Sequence, residues 1–351
     1  MYGDVYYLTN YYAGGGQFPD SAHENARGFY AVILRPDEKP EVVSNFPPYL
    51  PTFATDRFTH NRDVVAGVVE ALKSSGARRI ALVGENLLPV KYFRQMETGL
   101  KDVAWVGADD LIHDLRILKS PAELDCMRRA GEIGSAGLTR LIEGLVRGES
   151  ETVAAAAATG IVMQRGGKIY QIPCAFGPYT SLRPRNGLTG YVDEAPSHGD
   201  LVRAFVWGPF FQGYMMDIGR TAVCGGKPEP DVRAFLEKGL RKHRTHVESV
   251  RAGMTVGDLA GIGDRLLGES GDQGDFKTRT RTFGHGQGLY FERPEICSQL
   301  GDVDMVIQPG MTLSIESYIQ DEVYGTAAWE QAYIVHNDRI EELNSTPYDW
   351  W

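Results

Sequence analysis

Three carboxylates and one imidazole stand out in the second half of the sequence, each beside glycine or in a strand-like stretch. They occur in the segments GYMMDIGRT, GHGQGL, PGMTLSIE and WE, and they are Asp217, His285, Glu316 and Glu330. We call these four residues the quartet. Carboxylate and imidazole groups can coordinate metal ions and can transfer protons in hydrolysis. Each of these residues alone is weak evidence for a functional site, because a lone histidine after glycine, for example, is usually structural.

The order of the quartet resembles the metal-binding set of the pita-bread-fold M24 family, which includes methionine aminopeptidase, aminopeptidase P, prolidase, creatinase and ectoine hydrolase. Two further stretches extend the resemblance over nearly the whole chain. The segment LKSP at 118–121, followed by Glu123 and Met127, resembles the family's domain-boundary helix, and Tyr7–Thr9 resembles the opening strand of the small domain in the creatinase branch. The resemblance implies five ligands around two metals that share a hydroxide, and the quartet matches four of the five.

The fifth ligand is missing from the sequence. The resemblance places an aspartate eleven residues before Asp217, and that position is Val206. Its loss removes a ligand of one ion and leaves all ligands of the other. Without a cation, three neighbouring carboxylates would repel one another and take up protons. Metal-free relatives such as creatinase lack the residue that matches Asp217, so the sequence favours one divalent ion (Mn, Fe, Co or Zn) and leaves a metal-free site open.

The residues expected on the substrate side also differ from those of peptidases in this family. Phe291 stands where the resemblance implies a histidine, directly before Glu292. The loop that begins at Tyr179 contains Arg183 and Arg185 but no histidine. An arginine is not a general base near neutral pH, but its guanidinium binds carboxylates bidentately. We therefore expect a small acidic or zwitterionic substrate, bound by the aromatic and arginine residues, with the glutamate as a proton relay or as support for the site.

Arg27 is the candidate for a contribution from a second subunit. In creatinase-like dimers an arginine from the partner's small domain reaches the active site, and the segment NARGF at 25–29 is the nearest match in this sequence. The resemblance thus implies a homodimer with the partner's N-terminal domain near the site. An exposed loop arginine without such a role is the commoner case.

The predicted function is hydrolysis of a C–N bond in a small substrate that carries a carboxylate. His285 would bind the ion, or act as a general base if none is bound, while Glu316 and Glu330 would orient or activate water. Three alternatives stay open: a metal-dependent Xaa-Pro aminopeptidase or dipeptidase, a lyase acting on a small zwitterion, and a non-catalytic peptide-binding module. Retention of the quartet and of Glu292 weighs against the last.

Size and charge exclude several other classes of protein. The chain has 351 residues, and its 36 basic and 46 acidic side chains give a net charge of −10. Nucleic acid or an anionic membrane would require a concentrated basic face, so neither is expected as a partner. The sequence shows no signal peptide and no apolar run of bilayer length. Four scattered cysteines without a CxxC pair indicate a reducing cytoplasm.

The elements that position these residues form an α+β pattern, with a small N-terminal α/β domain over 1–115 and a C-terminal pita-bread domain over 116–351. The sequence opens directly into a predicted strand at Val5–Thr9, so we expect the first elements of the small domain to be absent. Ser120, Pro121 and Glu123 predict a helix start with a capping box, and this helix should run to about residue 146.

Hydrophobic periodicity predicts the remaining elements of the larger domain. Helices are expected at 151–165, at 231–250 and from about 255, with strands at 201–207, 221–224, 312–319 and 332–335. His243 and His246 lie three residues apart on one of these helices, among lysine and arginine neighbours. Because nearby cations oppose metal binding, these two histidines are predicted to lie on a solvated basic face.

Overall fold

The computed structural model describes residues 2–12, 19–47, 53–181, 190–270, 281–299 and 301–351. The chain divides into two compact units, Met1–Leu115 and Arg116–Trp351. Both units combine helices with strands, which confirms the predicted α+β class. Among the described residues, no helix is both long enough and apolar enough to cross a membrane.

The first element is a helix, and the strand predicted at this position is wrong. Helix α1 spans Tyr2–Thr9. The Thr9 hydroxyl donates a 2.6 Å hydrogen bond to the carbonyl of Val5, four residues earlier. Both of these side chains are buried, whereas the three between them are only half-buried. Burial at a spacing of four residues follows one helix face, and this packing outweighs the strand propensity of the tyrosines.

Among the described residues, two small sheets and three further helices follow α1, and the last of these helices extends two residues past Leu115. Their bounds are β1 Tyr30–Ile33, β2 Glu41–Ser44, β3 Arg57–His60, α2 Val64–Ser75, β4 Arg79–Leu82, α3 Val90–Gly99, β5 Ala104–Gly107 and α4 Asp109–Ile117. Strands β1, β2 and β3 form one sheet in that order, and β4 pairs with β5 in parallel. The carboxylate of Asp63 accepts a 2.9 Å hydrogen bond from the amide of Ala66, which caps α2.

In the part of the C-terminal unit that the structure describes, helices pack against an antiparallel sheet. The bounds of these elements are α5 Pro121–Val146, α6 Glu151–Gln164, β6 Cys174–Phe176, β7 Leu201–Phe211, β8 Tyr214–Val223, α7 Pro230–Ser249, α8 Val256–Ser270, β9 Thr282–Gln287, β10 Phe291–Cys297, β11 Thr312–Asp321, β12 Gly325–Val335 and β13 Ile340–Glu342. The described strands follow the order β10-β9-β11-β12-β8-β7-β6, and β13 pairs with β12.

Helix α5 begins with the predicted capping box. The Glu123 amide donates to the Ser120 hydroxyl at 3.3 Å, and the Ser120 amide donates to the Glu123 carboxylate at 2.8 Å. The helix packs closely on β7 and β8, because a Cβ atom at Gly134 would lie 3.0 Å from the Phe210 ring and 3.2 Å from Ile218. The absence of a side chain there lets the helix support the strands that carry part of the quartet.

His243 and His246 are buried, so the predicted solvated basic face is wrong for both. His243 is 0% exposed and His246 is 2% exposed. His243 Nδ1 lies 3.2 Å from the Ser317 hydroxyl, and His246 Nε2 donates to the Leu259 carbonyl at 3.1 Å. Helix α7 thus turns its histidines toward the sheet.

Candidate active site

Four neighbouring strands carry the quartet on one face of the sheet. Asp217 lies on β8, His285 on β9, Glu316 on β11 and Glu330 on β12. The register pairs His285 with Ser314, Glu316 with Glu330, and Glu330 with Gly219. Residues directly opposite one another share a face, as do alternate residues of one strand. The pairing therefore directs all four side chains to the same side.

The quartet converges on one small volume. His285 Nε2 lies 3.5 Å from Glu330 Oε1 and 3.7 Å from Glu316 Oε1. Single ligand atoms of Asp217, His285 and Glu330 all lie within 4.8 Å of one another. Glu316 and Glu330 are each 2% exposed. Residues separated by more than a hundred positions in the chain thus form one buried acidic site around an imidazole.

Neighbouring hydroxyl groups orient the two glutamates. The Ser314 hydroxyl donates a 2.8 Å hydrogen bond to Glu330 Oε1. The Tyr318 hydroxyl donates a longer bond of 3.5 Å to Glu316 Oε2. Both hydroxyls lie on β11, two residues from Glu316 on either side, so this strand positions two of the three carboxylates.

His285 is oriented by the backbone, and the neighbouring carboxylates raise its pKa. Its Nδ1 donates a 3.0 Å hydrogen bond to the carbonyl of Gly286, which leaves Nε2 facing the carboxylates. Burial alone would lower the pKa of His285, but a hydrogen bond to Glu330 and the charges of Glu316 and Asp217 outweigh burial and raise the pKa to about 9. The raised value reflects the negative charge concentrated here.

This donor set fits one divalent cation. Three carboxylates and an imidazole nitrogen suit Mn, Fe, Co or Zn. A backbone carbonyl on the second ring nitrogen is the contact that commonly orients a metal-bound histidine. A cation would also offset the mutual repulsion of the three carboxylates.

The β7–β8 hairpin presents no carboxylate opposite Asp217. Trp207 pairs with Asp217, and Val206 pairs with Ile218. Since successive residues of a strand point to opposite faces, Trp207 faces the site and Val206 faces away from it. The register shifts between Pro209 and Phe211, and a one-residue shift exchanges the two faces of a strand. The sequence placed the missing ligand at Val206, whereas the structure puts Trp207 at the position facing the quartet.

Phe291 and Trp207 make one wall of the site aromatic. The Phe291 ring lies 4.7 Å from the His285 ring at an interplanar angle of 82°. The Phe291 and Trp207 ring centroids are 5.5 Å apart. Trp207 Nε1 donates a 3.2 Å hydrogen bond to the Gln171 side chain, which fixes the indole. This wall offers apolar contact in place of metal ligands.

Glu292 is engaged by cations rather than by the quartet. It forms ion pairs with Arg116 and with Lys119, the latter at 2.8 Å. Its Oε1 also accepts a 3.0 Å hydrogen bond from the Leu289 amide. Burial would raise the pKa of Glu292, but the charges of Lys119 and Arg116 prevail and hold that pKa below its ordinary value. Three donors hold this carboxylate in its ionised form. We therefore expect Glu292 to support the structure of the site rather than to relay protons.

The other predicted substrate-binding residues are Tyr179, Arg27, Arg183 and Arg185, and the structure describes the first two. Tyr179 ends a short 3₁₀ helix, Gly177–Tyr179, and is 39% exposed. Arg27 belongs to the N-terminal unit, where its Nε lies 3.1 Å from the carboxylate of Glu24. Arg183 and Arg185 lie outside the described residues. The binding roles of all four remain predictions.

The sequence analysis did not identify Arg220, whose side chain contacts the backbone of the strand that carries Glu330. Its guanidinium is 0% exposed. It donates to the carbonyls of Glu330 at 2.8 Å, Thr346 at 2.9 Å and Pro347 at 2.9 Å. The available signal was an arginine within an otherwise strand-like stretch, three residues after Asp217, since a charged residue in a buried strand needs several partners.

Comparison with known proteins places the chain in a family. A sequence profile of metallopeptidase family M24 matches residues 125–337. The probable dipeptidase PepE of Mycobacterium tuberculosis is 30% identical over 285 residues, which cover 81% of this chain and 72% of that protein. The Xaa-Pro dipeptidase of Pyrococcus horikoshii is 27% identical over 280 residues, which cover 79% and 75%. The chain belongs to metallopeptidase family M24.

Solved structures show the same fold. The prolidase from Pyrococcus horikoshii OT3 matches with a TM-score of 0.79 at 21% identity, covering 100% of this chain and 94% of that chain. The predicted family and its fold are therefore confirmed. So is the coarser prediction of activity, a hydrolase of this family that acts on C–N bonds.

Proposed function

We propose that this protein hydrolyses the C–N bond of a small, carboxylate-bearing peptide or amide, with one divalent ion held by the quartet. The observation that carries the proposal is the convergence of three carboxylates on His285 Nε2, at 3.5 Å and 3.7 Å for Glu330 and Glu316. Relatives named as dipeptidases support a substrate of this size.

One ion is favoured over two because the donors are unevenly distributed. The quartet supplies four ligands from β8, β9, β11 and β12, while Trp207 occupies the place opposite Asp217 on β7. An indole carries no free lone pair for a metal. A second tightly bound ion would therefore lack protein ligands on that side.

The chain's own groups have distinct roles in the proposed reaction. A bound ion would polarise the scissile carbonyl and lower the pKa of water. Glu316 and Glu330, each steadied by a β11 hydroxyl, orient the attacking water. One of them accepts the proton of the water and passes it to the leaving nitrogen as the C–N bond breaks. The Phe291 ring beside His285 gives the substrate an apolar surface and excludes bulk water. For the substrate carboxylate, Arg183, Arg185 and the partner's Arg27 remain the predicted contacts.

The test combines metal content with a matched substrate series. Elemental analysis of untreated protein is expected to give about one transition-metal ion per chain. Hydrolysis is then measured for dipeptides, Xaa-Pro dipeptides and N-acyl amino acids, each paired with its C-terminal amide. We expect the free acids to be preferred, because an arginine contact is lost when the carboxylate is blocked.

Each result separates the proposal from an alternative. Two ions per chain with cleavage of Xaa-Pro substrates would support an ordinary metal-dependent dipeptidase instead. Equal rates for acids and amides would contradict recognition of the carboxylate. If the protein contains no metal, cleaves nothing in the series and is unaffected by loss of His285, the proposal that it is an enzyme is contradicted.

A further inference from the structure

Three charged side chains are buried together where the segment before α5 meets the β9–β10 hairpin. They are Arg116, Lys119 and Glu292, and we call them the charge cluster. Their side chains are 4%, 2% and 8% exposed, respectively. Both cations contact the same carboxylate, Arg116 at Oε1 and Lys119 at Oε2. The contacts join positions 173 and 176 residues apart in the chain.

The burial of these charges is not explained by stability alone. Removing ions from water is costly, and apolar replacements of a buried ion pair are often neutral or stabilising. What a cluster of directional ion pairs provides is fixed geometry, since both carboxylate oxygens must meet particular donors. The elements that it joins then show what is being fixed.

The cluster holds the turn between β9 and β10. Glu292 Oε1 accepts from the Leu289 amide at 3.0 Å. The same oxygen lies 2.4 Å from where a Cβ atom of Gly288 would be, so the turn packs directly on the carboxylate. The Gly288 carbonyl in turn accepts a 2.7 Å hydrogen bond from Met215, two residues before Asp217. One carboxylate thus fixes a turn that touches the strand carrying Asp217.

The cluster also reaches the other strands of the site. Glu292 pairs with Gly286, the neighbour of His285, and directly follows Phe291. The Lys119 amide donates a 3.0 Å hydrogen bond to the carbonyl of Gly310, which lies just before β11. These contacts link the cluster to β9, to β10 and to the segment just before β11.

We propose that Arg116 and Lys119 are positioning residues, which hold the β9–β10 hairpin through Glu292 and so direct His285 and Phe291 into the site. The consequence for metal binding rests on the proposed function; the restraint on the hairpin does not. Contacts that orient a metal-bound histidine typically change metal affinity 10- to 100-fold when they are lost, and we expect loss of the cluster to act in the same way, at about that size.

Two measurements test this proposal on the full-length protein. The first is amide hydrogen exchange of the hairpin, followed by mass spectrometry over residues 281–297. The second is Co²⁺ titration of metal-free protein, read by visible absorption, which reports the geometry of the bound ion. The variants are Lys119→Met, Glu292→Gln and the conservative Lys119→Arg. Glu341→Gln is the matched control, because it removes a 2.7 Å ion pair with Arg128 elsewhere in the same unit.

Lys119→Met and Glu292→Gln are expected to speed hairpin exchange about tenfold, with other segments unchanged. Both should weaken Co²⁺ binding about 10- to 100-fold. Lys119→Arg should keep most of the wild-type protection of the hairpin and most of the Co²⁺ affinity. Glu341→Gln should change neither the exchange of the hairpin nor the Co²⁺ affinity. Wild-type rates and affinities in both disruptive variants, or equal effects in the control, would overturn the proposal. If wild-type protein binds no Co²⁺, the proposed metal site fails, and the exchange data alone decide the role of the cluster.

Should Lys119→Met not fold, Glu292→Gln decides, because it preserves the volume of the side chain and an oxygen that can accept from Leu289. Global acceleration of exchange in that variant, without a stronger effect in the hairpin, would reduce the cluster to general stabilisation and overturn the positioning role.

Discussion

The two sides of the candidate site are built from different kinds of residue. On one side, β8, β9, β11 and β12 supply three carboxylates and an imidazole, and the nearest glutamate lies 3.5 Å from His285. On the other side, β7 and β10 supply the rings of Trp207 and Phe291, 5.5 Å apart. Both sides belong to one continuous antiparallel sheet.

The comparison shows that the residues lining a site depend on strand register as well as on residue type, because a strand presents alternate residues to one face. A ligand carried by a strand depends on which residues face the site, and a one-residue register shift near Pro209 exchanges those residues. Proline within a sheet is found mainly at edges and bulges, which fits its place beside this shift. The donor side, by contrast, is fixed by continuous pairing of β11 with β12 from Thr312 to Asp321.

Removing a donor should have a far larger effect than removing a ring. His285→Ala is expected to abolish metal binding and to lower kcat/KM by about 10³-fold or more, since a metal supplies several kcal/mol of transition-state stabilisation. Phe291→Ala removes apolar contact only and should change kcat/KM by about tenfold. The measurement is steady-state kinetics with elemental analysis of each variant. Comparable losses in the two variants would contradict the division into a donor side and an aromatic side.

Much of this division could be predicted from the sequence. The residue types of the quartet and their order indicated the donor side, and the replacement of a histidine by Phe291 indicated the aromatic side. The capping residues Ser120 and Glu123 correctly predicted the start of α5. These signals are local, or depend only on the residue type at a motif position.

Register and burial could not be predicted in this way. A count of eleven residues placed the lost ligand at Val206, but the register shift in the hairpin put Trp207 on the site face. Basic neighbours predicted that His243 would be solvated, although α7 turns it against the sheet. The two cationic partners of Glu292 lie more than 170 residues away in the chain, and no local pattern connects them to it.

Placing a carboxylate on the aromatic side should add a second metal site. Trp207→Asp places a carboxylate directly opposite Asp217, and we expect Mn²⁺ titration by calorimetry to change from about one to about two ions per chain. Val206→Asp is the matched control. Because Val206 is 0% exposed and faces away from the site, its replacement buries an unpaired charge. That variant should lose about 3–5 kcal/mol of unfolding free energy without gaining an ion.

The opposite outcome would be equally informative. If Val206→Asp gains an ion and Trp207→Asp does not, the strand register described here is wrong, and the count along the sequence is the better guide. Thermal unfolding followed by circular dichroism separates a variant that cannot bind from one that does not fold.

The smallest expected effect concerns the unfolding free energy at low pH. The contribution of His246 to this free energy has to be distinguished from any effect of metal loss at the quartet. Burial, with a smaller contribution from the charge of Lys242, outweighs a hydrogen bond to Leu259 and lowers the pKa of His246 to about 4 from 6.5. The unfolded chain therefore binds a proton below pH 6.5 that the folded chain excludes until about pH 4. Stability from this group is complete above pH 6.5 and falls as the pH is lowered to 4, by at most about 3 kcal/mol.

His246→Gln should remove this contribution, because glutamine has no proton to gain and can still donate to the Leu259 carbonyl. Urea unfolding between pH 4 and pH 7 measures the slope, and the variant is expected to show a flatter profile than the wild type while the metal affinity at pH 7 stays the same. An unchanged slope would mean that the acid sensitivity arises at the quartet itself, and the pH dependence of activity would then report on the donor side directly.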